Sequence, residues 1–381
     1  MTVKRKKVAL VLSGGGARAA YQIGVLKAIS EILPERSKNP FPIIIGTSAG
    51  AINSAALAIY GKSFKYAVRQ LINIWANFHV HHVFRVDAVG VLQNTYNWVS
   101  SFLLGGFGRR RPLAFLDRKP LHDLLTRYMP CERIQKSLDE GVLESIAITA
   151  SGYGAGKSVT FFHSSRNFEE WKRWRREGKR EKISIDHLMA SSSIPFIFSS
   201  VRLGNDFYGD GSIRQVAPIS PALHLGADKI MVIGTSQTTV AERDGDTEPE
   251  YPSLAQISGH ILNSIFGDSM DADLERLNRI NRTIDIIPSH DLVEHNVHLR
   301  PIQTLLISPS EDMQVIAAKH AKSLPRIIRF MLRGIGAMDA KESSLISYLL
   351  FEKTFCQELI DMGYKDAMNQ KDEIKKFFEL Y

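Results

Sequence analysis

The chain has 381 residues, 44% of them hydrophobic and 23% charged, with a formal net charge of +8. That is ordinary globular composition, enough for one large α/β domain or a domain plus an extension, and the positive balance favours anionic partners. No apolar run is long enough to span a bilayer, Val8 to Leu12 is too short for the core of a signal peptide, and Cys131 and Cys356 have no metal-ligand or redox spacing. A cytoplasmic protein is expected, without metal or cofactor.

Lys7 to Leu12 reads as a buried parallel strand, and Ser13-Gly14-Gly15-Gly16-Ala17-Arg18 follows it directly. Apolar residues at helical spacing then run from Ala19 to Leu33. Three bare glycines at a helix start leave backbone N–H groups open to an anion, which suits an oxyanion hole. A dinucleotide site needs glycine where Ala19 stands, and no acidic residue follows the second strand to hold a ribose.

The second strand, glycine turn and helix lie in Pro42-Ile43-Ile44-Ile45-Gly46-Thr47-Ser48-Ala49-Gly50-Ala51. Gly46 and Gly50 let two backbone segments approach closely, and the turn pushes Ser48 outward at a helix N-terminus. Ser48 is therefore a candidate nucleophile placed where an anion is stabilised.

Lys65 to Ala76 reads as an amphipathic helix. His79, His81 and His82 cluster without carboxylate or cysteine neighbours at ligand spacing, so a locally bonded cluster is preferred over a metal site. The aromatic stretch from Val89 to Pro112 has the composition of a lid, an interfacial contact or a core helix. Helices are expected at Leu121 to Tyr128 and Arg133 to Leu138, and strands at Glu144 to Thr149 and Ser158 to Phe162. Ser151-Gly152-Tyr153-Gly154-Ala155-Gly156-Lys157-Ser158 departs from a phosphate-binding loop at Ser151 and continues into a strand, so a hairpin turn is expected.

Phe168 to Lys182 mixes Trp171 and Trp174 with many cations and four glutamates, and reads as a solvated charged helix with some affinity for an anionic headgroup layer. No RNA-binding motif accompanies it, and no nucleic-acid partner is expected. A helix from Ile185 runs into Ala190-Ser191-Ser192-Ser193-Ile194-Pro195. Phe207 to Asp210 is a short strand, and Asp210 before Gly211-Ser212 is either a turn former or a base carried beside Ser48. Pro218 to Leu225 reads as a helix and Lys229 to Gly234 as a strand. Glu242 to Glu250 is a polar break. Beyond it, helices are expected at Leu254 to Phe266, Ala272 to Ile280, Gln314 to Phe330 and Ser343 to Tyr381, with a strand at Thr283 to Ile287.

The glycine loop, the Gly46–Gly50 turn, the serine-rich segment ending in Pro195 and Asp210-Gly211 stand in an order that resembles the patatin-like phospholipase family, from about Val8 to about Ser236. The resemblance implies a three-layer α/β/α fold with a mostly parallel central sheet over residues 1–240, followed by a helical C-terminal extension over 241–381. It also implies Ser48 as nucleophile, Asp210 as its base, backbone N–H groups of Gly14, Gly15 and Gly16 as oxyanion hole, and Arg18 as a buttress of that loop. Ala19 replaces a common glycine, and Ser212 replaces a glycine or alanine.

The activity implied is hydrolysis of fatty-acyl esters of phospholipids or lysophospholipids through an acyl-serine, with peripheral contact to an anionic membrane surface expected. Alternatives are a small-ester or thioester hydrolase, an acyltransferase, or a lipid-binding protein without turnover. A Ser-Asp-His order would draw its histidine from His260, His290, His295 or His298.

Overall fold

The computed structural model describes residues 6–34, 38–86, 114, 116–237, 251, 253–295, 299–334, 336–338 and 344–380. The expectation for Val89 to Pro112, and that for Glu242 to Glu250, lie outside these residues.

In chain order the strands are β1 (Val8–Leu12), β2 (Ile43–Thr47), β3 (Ser145–Gly152), β4 (Lys157–Ser164), β5 (Trp171–Arg173), β6 (Arg176–Arg180), β7 (Val201–Leu203), β8 (Asp206–Asp210), β9 (Lys229–Ile233) and β10 (Gln303–Ile307). They form one sheet in the order β10-β9-β1-β2-β3-β4-β6-β5, with β8 and β7 attached at β3. Pairing is parallel from β10 to β3 and antiparallel between β3 and β4. The central strands are continuous apolar runs because both of their faces are covered.

The helices before residue 240 are α1 (Ala20–Ile32), α2 (Ala49–Ile59), α3 (Phe64–Trp75), α4 (Lys119–Tyr128), α5 (Glu132–Asp139), α6 (Ile185–Ser191) and α7 (Ser220–His224). After it come α8 (Leu254–Asn263), α9 (Ser269–Ile286), α10 (Ser289–Glu294), α11 (Met313–His320), α12 (Arg326–Gly334), α13 (Ser344–Leu349), α14 (Lys353–Asn369) and α15 (Lys371–Phe378). Alternation along β1 sends Leu10 and Leu12 into one core with α1, α2 and α14, and Ala9 and Val11 into another with α7 and α9. The result is three layers, helices on both faces of a mixed sheet whose β10-to-β3 part is parallel.

The C-terminal residues are part of this frame. β10 extends the sheet beside β9, and α14 lies along α1, where Tyr21 donates to Asp366 Oδ2 at 3.0 Å. Gly24 and Gly363 permit the approach, since a Cβ on either would strike the backbone of the opposite helix. Cys131 and Cys356 are both buried free thiols. Among the described residues no helix is long and apolar enough to cross a membrane.

Two expectations are corrected. Phe168 to Lys182 is not a helix; β5 and β6 form a hairpin on the sheet edge, with Trp171 stacked between Phe162 and His224 and Trp174 exposed at the turn. The dense charges hid a period-two pattern, and charge on an edge strand discourages pairing with other chains. Thr283 to Ile287 is not a strand; α9 runs on as far as Ile286, because Ile284 completes that helix's buried stripe. The edge strand β10 was not expected from the sequence.

Candidate active site

The sheet's topology decides where the two candidate side chains sit. β2 pairs with β3 up to Thr47 opposite Thr149, and β8 takes over the same edge from the other end, with Asp210 opposite Ala150. The two strands thus run toward each other and meet at their C-terminal ends. Ser48 follows immediately after one, and Asp210 closes the other.

Ser48 has φ 54° and ψ −127°, a left-handed conformation costly for a side chain with a Cβ. Its neighbours hold it there. A Cβ on Gly46 would strike the Gly50 carbonyl and Ala51, and one on Gly50 would strike the carbonyls of Leu12 and Ser13, so the turn closes on itself and against the glycine loop. Ser48 is 2% exposed and sits at the N-terminus of α2, whose dipole favours negative charge there.

Asp210 is 1% exposed. Its Oδ1 accepts the Ser212 N–H at 2.9 Å, while Oδ2 is shielded from water without a well-formed hydrogen bond. Burial pushes the carboxyl up to about 6, opposed by the nearby Ser48 hydroxyl, by the N–H and the nearby hydroxyl of Ser212, and by the charge of Arg118. Ser212, the departure from the family pattern, therefore sets a hydroxyl near the acid that favours its charged form. Gly211 is required at its position, because a Cβ would meet the Thr149 carbonyl and Thr47.

The glycine loop borders the same cavity as Ser48, through Gly16. Gly16 has φ 55°, and a Cβ there would collide with the Tyr348 carbonyl. Gly14 packs under Phe266 and Ser212, and Gly15 against Thr235, whose hydroxyl donates to the Gly14 carbonyl. The N–H groups of Gly14, Gly15 and Gly16 donate to no described residue. Arg18 is buried; its Nε donates to Ser347 at 2.8 Å and its guanidinium lies 3.9 Å from the centre of the Tyr348 ring. It fastens the loop to α13.

Two serines of the Ala190–Pro195 segment, and Arg118, which was not singled out from the sequence, complete the site. Ser191 Oγ accepts the Ser48 N–H at 2.9 Å and donates to the Thr149 carbonyl at 2.7 Å, and the Ser193 carbonyl accepts the Asp210 N–H at 2.8 Å. Buried Arg118 grips that segment through the carbonyls of Met189, Ser192 and Ser199 and the hydroxyls of Ser192 and Ser193. Burial lowers Arg118 to about 10, against the opposing effect of Asp210's charge. The serine-rich segment was a usable signal; nothing local marks Arg118.

A largely apolar cavity of about 260 Å³ is bordered by Ser48 and Gly16 and extends between α3 and α4, past Ile52, Trp75, Leu125 and Ala56. His82 is the one histidine that borders it among the described residues. His260 and His290 are exposed elsewhere, His295 is likewise exposed, and none lines the cavity; His298 lies outside the described residues. His79 pairs with Glu352 at 2.9 Å, and His82 accepts the His79 N–H at 3.1 Å. No group of three metal-ligating side chains occurs among the described residues.

The family model described as patatin-like phospholipase matches residues 10–223, more than half of the chain. The chain belongs to the patatin-like phospholipase family. A curated relative, lysophospholipase nte1 of Aspergillus terreus, is 44% identical over 71 residues, covering 17% of this chain and 4% of its own length. The chain thus corresponds to a small part of that protein. Among solved structures, VipD from Legionella pneumophila aligns over 94% of this chain and 67% of its own, with 11% identity and a TM-score of 0.35. Human GIVD cytosolic phospholipase A2, in complex with methyl γ-linolenyl fluorophosphonate, aligns over 98% and 58%, with 10% identity and a TM-score of 0.44.

Proposed function

We propose that the chain is a lipid acyl hydrolase acting on fatty-acyl esters of phospholipids or lysophospholipids, with Ser48 as nucleophile and Asp210 as its base. The observation that carries the reading is the strained Ser48 opening onto an apolar cavity beside a buried carboxyl raised to about 6. Such a carboxyl is ionised at neutral pH yet basic enough to accept a hydroxyl proton in the transition state.

In this reading the acyl chain lies along the cavity and the ester carbonyl faces Ser48. Ser48 Oγ attacks the carbonyl carbon while its proton passes to Asp210, and the carbonyl oxygen becomes an oxyanion held by the glycine-loop N–H groups and the α2 dipole. Collapse expels the alcohol, which takes the proton from Asp210 and leaves an acyl-serine. Water, deprotonated by Asp210, then attacks the acyl carbon and releases the fatty acid, returning the proton to Ser48. Residues 241–381 serve as an extension that braces the oxyanion loop through α13, and contact with an anionic bilayer from the cytoplasmic side belongs to the same proposal.

The test is fluorophosphonate labelling with peptide mapping, alongside turnover of acyl esters. Label on the Ser48 peptide is expected, and Ser48→Ala or Asp210→Asn should lower turnover by about ten-thousandfold. Wild-type turnover in either variant overturns the assignment.

A further inference from the structure

We infer that the exposed face of α12 is a docking surface for an anionic lipid bilayer. Residues 313 to 338 carry five basic side chains, Lys319, Lys322, Arg326, Arg329 and Arg333, and no acidic one. At 100° per residue, Arg326, Arg329, Phe330 and Arg333 fall within about 100° of arc, opposite the buried Ile328 and Leu332.

The character of that face is unusual for a helix so well anchored. Arg326 and Arg333 are exposed, and Phe330 stands among them 74% exposed. Lys319 is paired with Glu358, whereas Lys322 and the three arginines form no ion pair with a described residue; Arg329 is half-buried, with its Nε shielded from water and without a hydrogen-bond partner. A solvated basic face alone fits any polyanion. An uncovered phenylalanine inside it favours a surface that offers phosphate groups over hydrocarbon, into which the ring inserts while the arginines stay at headgroup level. The hairpin turn at Trp174 is a rival basic and aromatic site, but Arg175 already covers that ring, its guanidinium 4.4 Å from the centroid.

This deepens the lipid reading, so its test uses ether-linked lipids that cannot be hydrolysed, and the two fail separately. The full chain is sedimented with vesicles of ether-linked phosphatidylcholine with or without an ether-linked anionic lipid. Binding is expected only to the anionic vesicles, with a steep loss as salt rises. Each neutralised arginine should weaken binding roughly fivefold, so R326Q/R329Q/R333Q should bind roughly a hundredfold less well. F330A should weaken binding with the salt dependence kept. Unchanged thermal midpoints and unchanged turnover of a soluble ester show that these variants are folded. Undiminished vesicle binding by the triple variant, a loss caused instead by R173Q/R175Q, or displacement of the anionic vesicles by short duplex DNA overturns the assignment.

Discussion

Replacing Asp210 by asparagine should change how the stability of this protein responds to pH. In the folded chain burial holds the Asp210 carboxyl up at about 6, against about 4 for an aspartate in an unfolded chain. Between those values the folded state holds a proton that the unfolded state has released. Stability from this group is therefore greatest at low pH and declines as pH rises through that window. From pH 4 to pH 7 the wild-type chain should lose about 2 kcal/mol relative to a variant that cannot ionise there. For a chain of this length that is roughly 3 °C in thermal midpoint. Any fixed cost of seating the amide beside Ser48 cancels when the two proteins are compared at both pH values. Calorimetry or circular-dichroism melts of wild type and Asp210→Asn should show the variant gaining about 3 °C on the wild type between the two conditions. Midpoints that move in parallel would mean that Asp210 is not held in a desolvated site, and its assignment as a tuned base would fall with that.

With Asp210 as the proposed base, turnover of a soluble ester should fall below about pH 6, where Asp210 binds a proton and cannot accept another. Ser212→Ala removes a hydroxyl that favours the charged carboxyl, so that acid limb should move to higher pH by roughly half to one unit, and an unmoved limb refutes the role given to Ser212. Ala56 lies two turns of α2 beyond Ser48, about 12 Å along the axis, so Ala56→Phe should cut kcat/KM for long acyl esters by roughly tenfold or more while sparing short ones. Equal effects on both would place the acyl chain elsewhere. Arg118→Met removes the guanidinium from four buried acceptors and one partly buried acceptor, and urea denaturation should register a loss of about 3 kcal/mol or more together with loss of turnover.

Much of the fold was legible because its central strands are local statements. An unbroken apolar run such as Ile43 to Ile45, ending in glycine before an alanine-rich helix, has few other ways to fold, and the Gly46–Gly50 turn carries its strain on Ser48 in the sequence itself. The hairpin at Trp171 to Arg180 was obscured because composition there reports solvent exposure, whereas its conformation depends on Trp171 finding Phe162 and His224. β10 escaped for a related reason: an edge strand is defined by the partner it meets, and Gln303–Ile307 meets β9.

The sequence by itself determined the parts of the candidate site: a serine on a glycine turn, bare amides at a helix start, and an aspartate before glycine. Only the tertiary structure decided that they come close together, since a shared edge of β3 brings the ends of β2 and β8 together. It alone also set Asp210's basicity and the grip of Arg118, because desolvation and buried hydrogen bonds arise from packing between segments distant in the chain.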